Sequence, residues 1–223
     1  MASTINNPDI KVALNTIALL AVLASFFFTP SPVLADEAPV LITPDLANFS
    51  QSVLNGLANE LRGVYVSQVL AMPVVQQPSD NAGYVSNIDD VITEFRMAAD
   101  QGNVGLLAHN TLGGAKFSGL LPGHEVTLIY GDGRMEVFVI TTIVKYQALE
   151  PFSPYSSFRD LETGVTISAS DLFQQVYRGE RHVTFQTCIE AEGNPSWGRI
   201  FVIAEPKPIV VADFMYRLSA HIR

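Results

Sequence analysis

The stretch TFQTCIEAEGNPSWGRIFVIAEP, residues 184–206, holds the only cysteine of the chain, Cys188. Two β-branched and aromatic runs, HVTFQTC (182–188) and RIFVIAE (199–205), flank a loop that contains Gly193, Asn194, Pro195 and Gly198. That pattern predicts two strands joined by a short return. Side chains alternate along a strand, so Val183, Phe185 and Thr187 share one face and Thr184, Gln186 and Cys188 the other. A lone cysteine is most often a small buried hydrophobe. Here the apolar set packs inward and the alternation puts Cys188 with the polar set. If the loop returns the chain antiparallel, Cys188 closes one strand where Arg199 opens its neighbour, about 4.8 Å away.

A thiol beside a fixed cation has chemical consequences. The thiolate is the nucleophile, and a nearby positive charge favours it. The same cation can stabilise the oxyanion formed when a thiolate attacks a carbonyl. Acyl transfer also needs a group that moves protons, usually histidine. The chain has four histidines. His182 begins the cysteine's own strand and sits at its far end. His124 follows a Pro-Gly turn, and His221 lies in the C-terminal tail. His109 ends the apolar run VGLLAHN (104–110), and a strand there parallel to 183–188 brings it to the rim that carries Cys188.

Outward from this core, TPDLANFSQSVLNGLANELRG (43–63) has Leu46, Phe49, Val53, Leu54, Leu57 and Leu61 on one helical face, with Pro44 at the start and Gly63 at the stop. An amphipathic helix is expected there. GVYVSQVLAMPVV (63–75) reads as a strand. SNIDDVITEFRMAADQGN (86–103) reads as a helix capped by Ser86 or Asn87 and stopped by Gly102. HEVTLIYGDGRMEVFVITTIVKY (124–146) is a hairpin about Gly131-Asp132-Gly133. ASDLFQQVYRGE (169–180) reads as a helix capped by Ser170 and stopped by Gly179. The tail, 208–223, reads as a strand followed by a short helix. Many short strands at close spacing with a few helices point to a mainly β fold, a closed or nearly closed barrel.

The order of these features resembles the sortase family of bacterial cysteine transpeptidases. The resemblance rests on GLLAHN with His109, FSGLLPGHEVTLIYGDGRMEVFVI, TFQTC with Cys188 and GRIFVIAE with Arg199, and covers about residues 104–205. It implies a closed eight-stranded β-barrel with several short peripheral helices. It also implies a reaction in which Cys188 attacks a sorting-signal peptide, Arg199 steadies the oxyanion and His109 protonates the departing amine. An amine acceptor on the cell wall or on a pilin-like protein resolves the thioester. Thr187 and Trp197 are the expected substrate contacts, although Trp197 equally fits a loop-packing role. No cofactor is implied. The alternative within the same fold is a peptide-binding module of the cell envelope with little or no catalysis. The segment 147–181 is long for a connection and reads as a helical insertion beside the groove.

Residues 1–35 read as a signal peptide or an N-terminal membrane anchor. Lys11 precedes the apolar run 12–28, and Val33 and Ala35 fit a cleavage site. Either way the domain is expected on the extracellular side of the cell envelope. Residues 36–43 form a spacer and 44–223 a single domain. With 223 residues, 48% hydrophobic and 16% charged, the chain can bury a full core, and a lone cysteine gives it no internal disulfide. The net charge of -9 argues against nucleic acid as a partner. Gly131 and Gly133 join strand to strand, which is not a dinucleotide fingerprint, and no paired zinc motif occurs. Asp89, Asp90 and Glu94 read as a solvated helix start rather than a calcium site.

Overall fold

The computed structural model describes residues 43–208. These lie in one compact unit. After helix α1 (Leu46–Val53) come strands β1 (Leu61–Val66), β2 (Leu70–Gln76) and β3 (Ile92–Phe95), the single turn α2 (Arg96–Ala99) and strand β4 (Val104–Leu107). A 3-10 segment (Gly113–Gly119) leads into β5 (Glu125–Tyr130) and the long β6 (Met135–Ala148). The short strands β7 (Phe158–Asp160) and β8 (Thr166–Ile167) precede α3 (Ala169–Tyr177), β9 (Val183–Ala191) and β10 (Asn194–Pro206).

The strands run in the order β10-β9-β4-β3-β2-β1-β5-β6, and β6 pairs with β10 to close the ring into an eight-stranded barrel, with β7 and β8 added beyond β6. Closure removes the sheet edges that would otherwise be left unpaired. Inside sit Val64, Leu70, Met72, Ile92, Leu106, Val126, Leu128, Phe185 and Val202, all fully buried. Phe117, from the 3-10 segment, meets Phe185 edge to face at 5.2 Å between ring centroids. A second apolar layer lies on the outer face of β6, β9 and β10. There α3 sets Leu172, Val176 and Tyr177 against Tyr146 and Phe201. Fully burying a side chain such as Leu172 or Val176 is worth about 1.5–3 kcal/mol, so this layer holds α3 firmly on the barrel wall.

Several local expectations change. The helix predicted over 86–103 is a strand followed by one helical turn. Ile92 and Thr93 are fully buried because β3 is paired on both sides, parallel to β2 and antiparallel to β4. Ser86 takes part in turns instead of capping a helix: its N–H donates to Thr93 Oγ1 at 2.8 Å, and its hydroxyl accepts from the Ile88 N–H at 3.2 Å. The strand predicted over 63–75 is a hairpin, β1 to β2, turning at Gln68 with φ 61°. The first helix ends at Val53, capped by Asp45. Beyond it, the N–H groups of Asn55 and Gly56 donate to Gly131 O at 3.1 and 2.8 Å. Gly131 is required there, since a Cβ would lie 2.6 Å from the backbone oxygen of Leu57. The cap of α3 is Ser168 rather than Ser170, and the chain leaves it through Gly179 at φ 108°.

The expected localisation is corrected. Among the described residues no helix is long and apolar enough to cross a membrane. The apolar run 12–28, on which the anchor and the placement outside the cell rested, lies outside the described residues. The same holds for the rest of the leader, for spacer residues 36–42 and for the tail 209–223.

At the barrel mouth where β9 begins, polar groups from six segments gather. The Arg181 guanidinium donates to Glu136, to Tyr130 Oη at 3.0 Å and to Gly102 O at 3.0 Å. Glu94, opposite Gln76 in the β2–β3 register, is largely enclosed nearby, and burial raises its carboxyl above the ordinary 4.5. A raised carboxyl binds its proton more tightly in the folded state. Its contribution to stability is therefore full below pH 4.5 and is lost as pH rises through the folded value. Glu94→Gln should raise the melting temperature at pH 7 and flatten its decline from pH 4.5 upward; thermal scans across pH read both effects.

Candidate active site at the barrel rim

Strand β9 carries Cys188 on its outer face, half-buried. In the antiparallel ladder with β10, Cys188 stands directly opposite Arg199. Opposed residues of such a ladder share a face, with Cα atoms about 4.5–5.5 Å apart. The Arg199 guanidinium is held by carbonyl oxygens: Nη1 donates to Ser196 O at 2.9 Å and Gly198 O at 2.8 Å, and Nη2 reaches Pro151 O at 3.4 Å. Among the described residues no carboxylate forms an ion pair with it. Its charge is thus oriented by dipoles and left without a counter-ion. Just before it, Gly198 lets β10 lie close against β6, because a Cβ there would fall 2.5 Å from Tyr146 O.

Strand β4 runs parallel to β9, with Leu107 beside Gln186, and the Ala108 N–H continues the ladder to Gln186 O at 3.3 Å. Parallel pairing fixes which ends meet. The exit of β4, where His109 lies half-buried, therefore comes to the rim of Cys188. Its backbone is tightly held. Thr187 Oγ1 donates to Ala108 O at 2.8 Å, and the N–H groups of Leu112 and Gly114 both donate to His109 O at 3.0 Å. Thr187 is buried and faces this turn. Trp197 is half-buried, and its indole Nε1 is shielded from solvent without a hydrogen-bond partner.

The other histidines lie elsewhere. His182 is buried at the far mouth, with its ring nitrogens against Glu180 O at 2.7 Å and Val176 O at 3.0 Å. His124 Nδ1 accepts from the Leu121 N–H within its own turn. His221 is outside the described residues. Asp90 pairs with Lys116 at 2.7 Å, and no group of three or more His, Cys, Asp or Glu that could hold a metal is found among the described residues.

Sequence reasoning set the 147–181 insertion beside a groove but did not identify the aromatic residues that line it on this outer face. A pocket of about 140 Å³ is lined by Phe95, Phe158, Phe173, Tyr177, Gln186, Arg199, Phe201 and further residues of α3. Its aromatic walls come from four separate segments, so no local motif announces it. At its floor the Tyr177 hydroxyl donates to Gln186 Oε1, and burial pushes the phenol's titration well up. The carbonyl of Pro151 on Arg199 was equally invisible, as it reaches across from the 149–157 turn.

No family model matches the chain. No curated protein matches it either. Solved structures do. Sortase C-1 from Actinomyces oris is 13% identical, over 87% of this chain and 99% of that one, with a TM-score of 0.45. Sortase A from Listeria monocytogenes is 13% identical, over 69% and 89%, with a TM-score of 0.44. A sortase D5 transpeptidase from Clostridium perfringens is 13% identical, over 74% and 91%, with a TM-score of 0.43. The likeness concerns the fold.

The turn after His109 has little room. A Cβ on Gly114 would lie 2.4 Å from Thr187 Oγ1, 2.7 Å from His109 O and 2.8 Å from Ala108 O. Gly114→Ala is expected to destabilise the protein by about 1–3 kcal/mol in urea unfolding, whereas Gly164→Ala, with open space around it and φ 75°, should lose only the smaller left-handed backbone penalty.

Proposed function

We propose that this chain is a sortase-type cysteine transpeptidase acting on a sorting-signal peptide. One observation carries the reading: Cys188 and Arg199 are register partners at a barrel rim to which the parallel β4–β9 pairing also leads His109. Sulfur, cation and imidazole are the three groups that acyl transfer through a thioester requires.

In the proposed reaction the Cys188 thiolate attacks the scissile peptide carbonyl. A carbon–sulfur bond forms, and the carbonyl electron pair moves onto oxygen, where the Arg199 guanidinium stabilises it. As the oxyanion collapses, the carbon–nitrogen bond breaks and the His109 imidazolium gives its proton to the leaving amine. An acceptor amine, on the cell wall or a pilin-like protein, then attacks the thioester. It returns a proton to His109 and frees the thiolate; water in its place gives hydrolysis. Arg199 fits the oxyanion role because carbonyl dipoles orient it without neutralising it. The hydroxyl of buried Thr187 donates to Ala108 O, which fits a role in placing the turn before His109 rather than in touching peptide. Trp197, half-buried and two residues before Arg199, keeps the role of a peptide contact through its exposed part.

A second reading, a peptide-binding module without turnover, draws on the aromatic groove, which can seat one apolar side chain of a peptide whether or not the thiol reacts.

Mass spectrometry of the Cys188 peptide after incubation with a pool of sorting-signal peptides separates the two. The enzyme reading expects a mass increase equal to an acyl fragment in the wild type and none in Cys188→Ala. Peptide binding of equal strength in both proteins, with no adduct on Cys188, favours the module. Arg199→Lys should lower turnover by roughly 10²-fold, because an ammonium does not reproduce a planar guanidinium aimed at an oxyanion.

A further inference from the structure

The stretch between β9 and β10 is irregular. Asn194 pairs with Ala191, the ladder resumes only at Gly198 opposite Ile189, and residues 195–197 pair with neither strand. Polar backbone groups in such a bulge need partners from elsewhere. The Ser196 N–H donates to Asn194 Oδ1 at 2.9 Å, and Ser196 O accepts from Arg199 Nη1. Pro195 has no N–H to offer. Its carbonyl accepts from Asn110 Nδ2 at 3.0 Å, a bond between residues 85 apart in sequence. Asn110 directly follows His109.

One short bulge therefore touches both halves of the site. On one side it cages the guanidinium of Arg199. On the other it holds the residue next to His109. The remaining bonds at the His109 turn come from within that turn or run to Gln186 and buried Thr187 on β9. None of those reaches the bulge, so the side chain of Asn110 is what links it to the turn that carries the imidazole.

We infer that Asn110 is a positioning residue for His109, linking the exit of β4 to the β9–β10 bulge so that the imidazole and the guanidinium are held as one unit across Cys188. The inference rests on the proton-transfer role proposed for His109. Only an amide or another donor at position 110 reaches the Pro195 carbonyl. Alanine leaves that carbonyl to water and the turn free to shift.

The test uses the full chain and iodoacetamide, whose reaction with Cys188 reads the thiolate and its surroundings over pH without a peptide substrate. Wild type, His109→Ala, Asn110→Ala and Asn110→Gln are compared, with melting temperatures measured alongside. His109→Ala should displace the pH–rate profile. Asn110→Ala should displace it in the same direction, by about two- to tenfold in rate at pH 7, the range one net hydrogen bond commands. Asn110→Gln, which keeps the amide, should recover part of the change, and the Asn110 variants should melt within a few degrees of wild type. A profile moved by His109→Ala but not by Asn110→Ala overturns the inference and leaves the role of His109 standing, as does a lowered melting temperature in Asn110→Ala with an unmoved profile. A profile that neither substitution moves overturns the role of His109 and this inference with it.

Discussion

Parallel pairing of β4 with β9 is the constraint on which the rest of the molecule depends. An antiparallel neighbour would carry the exit of β4, and His109 with it, to the opposite mouth, away from the rim that carries Cys188. Parallel strands cannot be joined by a tight turn. The chain accordingly leaves β4 through the 3-10 segment, builds the β5–β6 hairpin, crosses by β7, β8 and α3, and only then enters β9. The long connection between hairpin and cysteine strand is thus a requirement of the topology. It also supplies α3, whose buried Leu172 and Val176 cover the outer wall and whose Tyr177 shapes the groove.

Rim geometry is set by backbone more than by side chains. Thr187, Gly114 and Gly198 have no reactive group in the proposed chemistry, yet each permits an approach that a bulkier or differently shaped residue would block. Close packing of this kind transmits small changes, because an interior at native density has no slack. A methyl group added at Gly114 presses on the carbonyls of both Ala108 and His109. Residues one or five places from Cys188, Arg199 and His109 therefore help to shape the rim.

What could be read in the sequence follows from how local each signal is. The strands at Cys188 and Arg199, the run before His109 and the hairpin about Gly131-Asp132-Gly133 were legible, because period-two alternation and glycine turns are properties of a few consecutive residues. The stretch 86–103 was not. Asp89, Asp90 and Ser86 imitate the start of a helix, and nothing local reveals that Ile92 and Thr93 pair on one side with Val74 and Val75 and on the other with Leu107. The turn at Gln68 was hidden for a related reason: it adopts positive φ without glycine or asparagine, so the two strands β1 and β2 looked like one. Of the candidate site, Cys188, Arg199 and His109 could be picked out in advance, while the aromatic residues of the groove, the Pro151 carbonyl and the Asn110 contact could not, since each joins segments far apart in the chain.

Arg199 is held differently from the other cations at the barrel mouths, Lys116 with its partner Asp90 included. At the mouth where β9 begins, cations meet carboxylates: Arg181 and Arg134 share Glu136, and Arg62 pairs with Glu60. Those charges are largely neutralised by one another and hold strand ends together. At the mouth where Cys188 lies, Arg199 is gripped by three carbonyl oxygens and by no carboxylate among the described residues. A carbonyl dipole fixes the direction of a guanidinium but leaves its full unit of charge in place. In a protein with a net charge of -9, a cation kept free of its many possible partners remains available to whatever anion forms beside it. Beside it, across one rung of the ladder, is the one thiol of the chain.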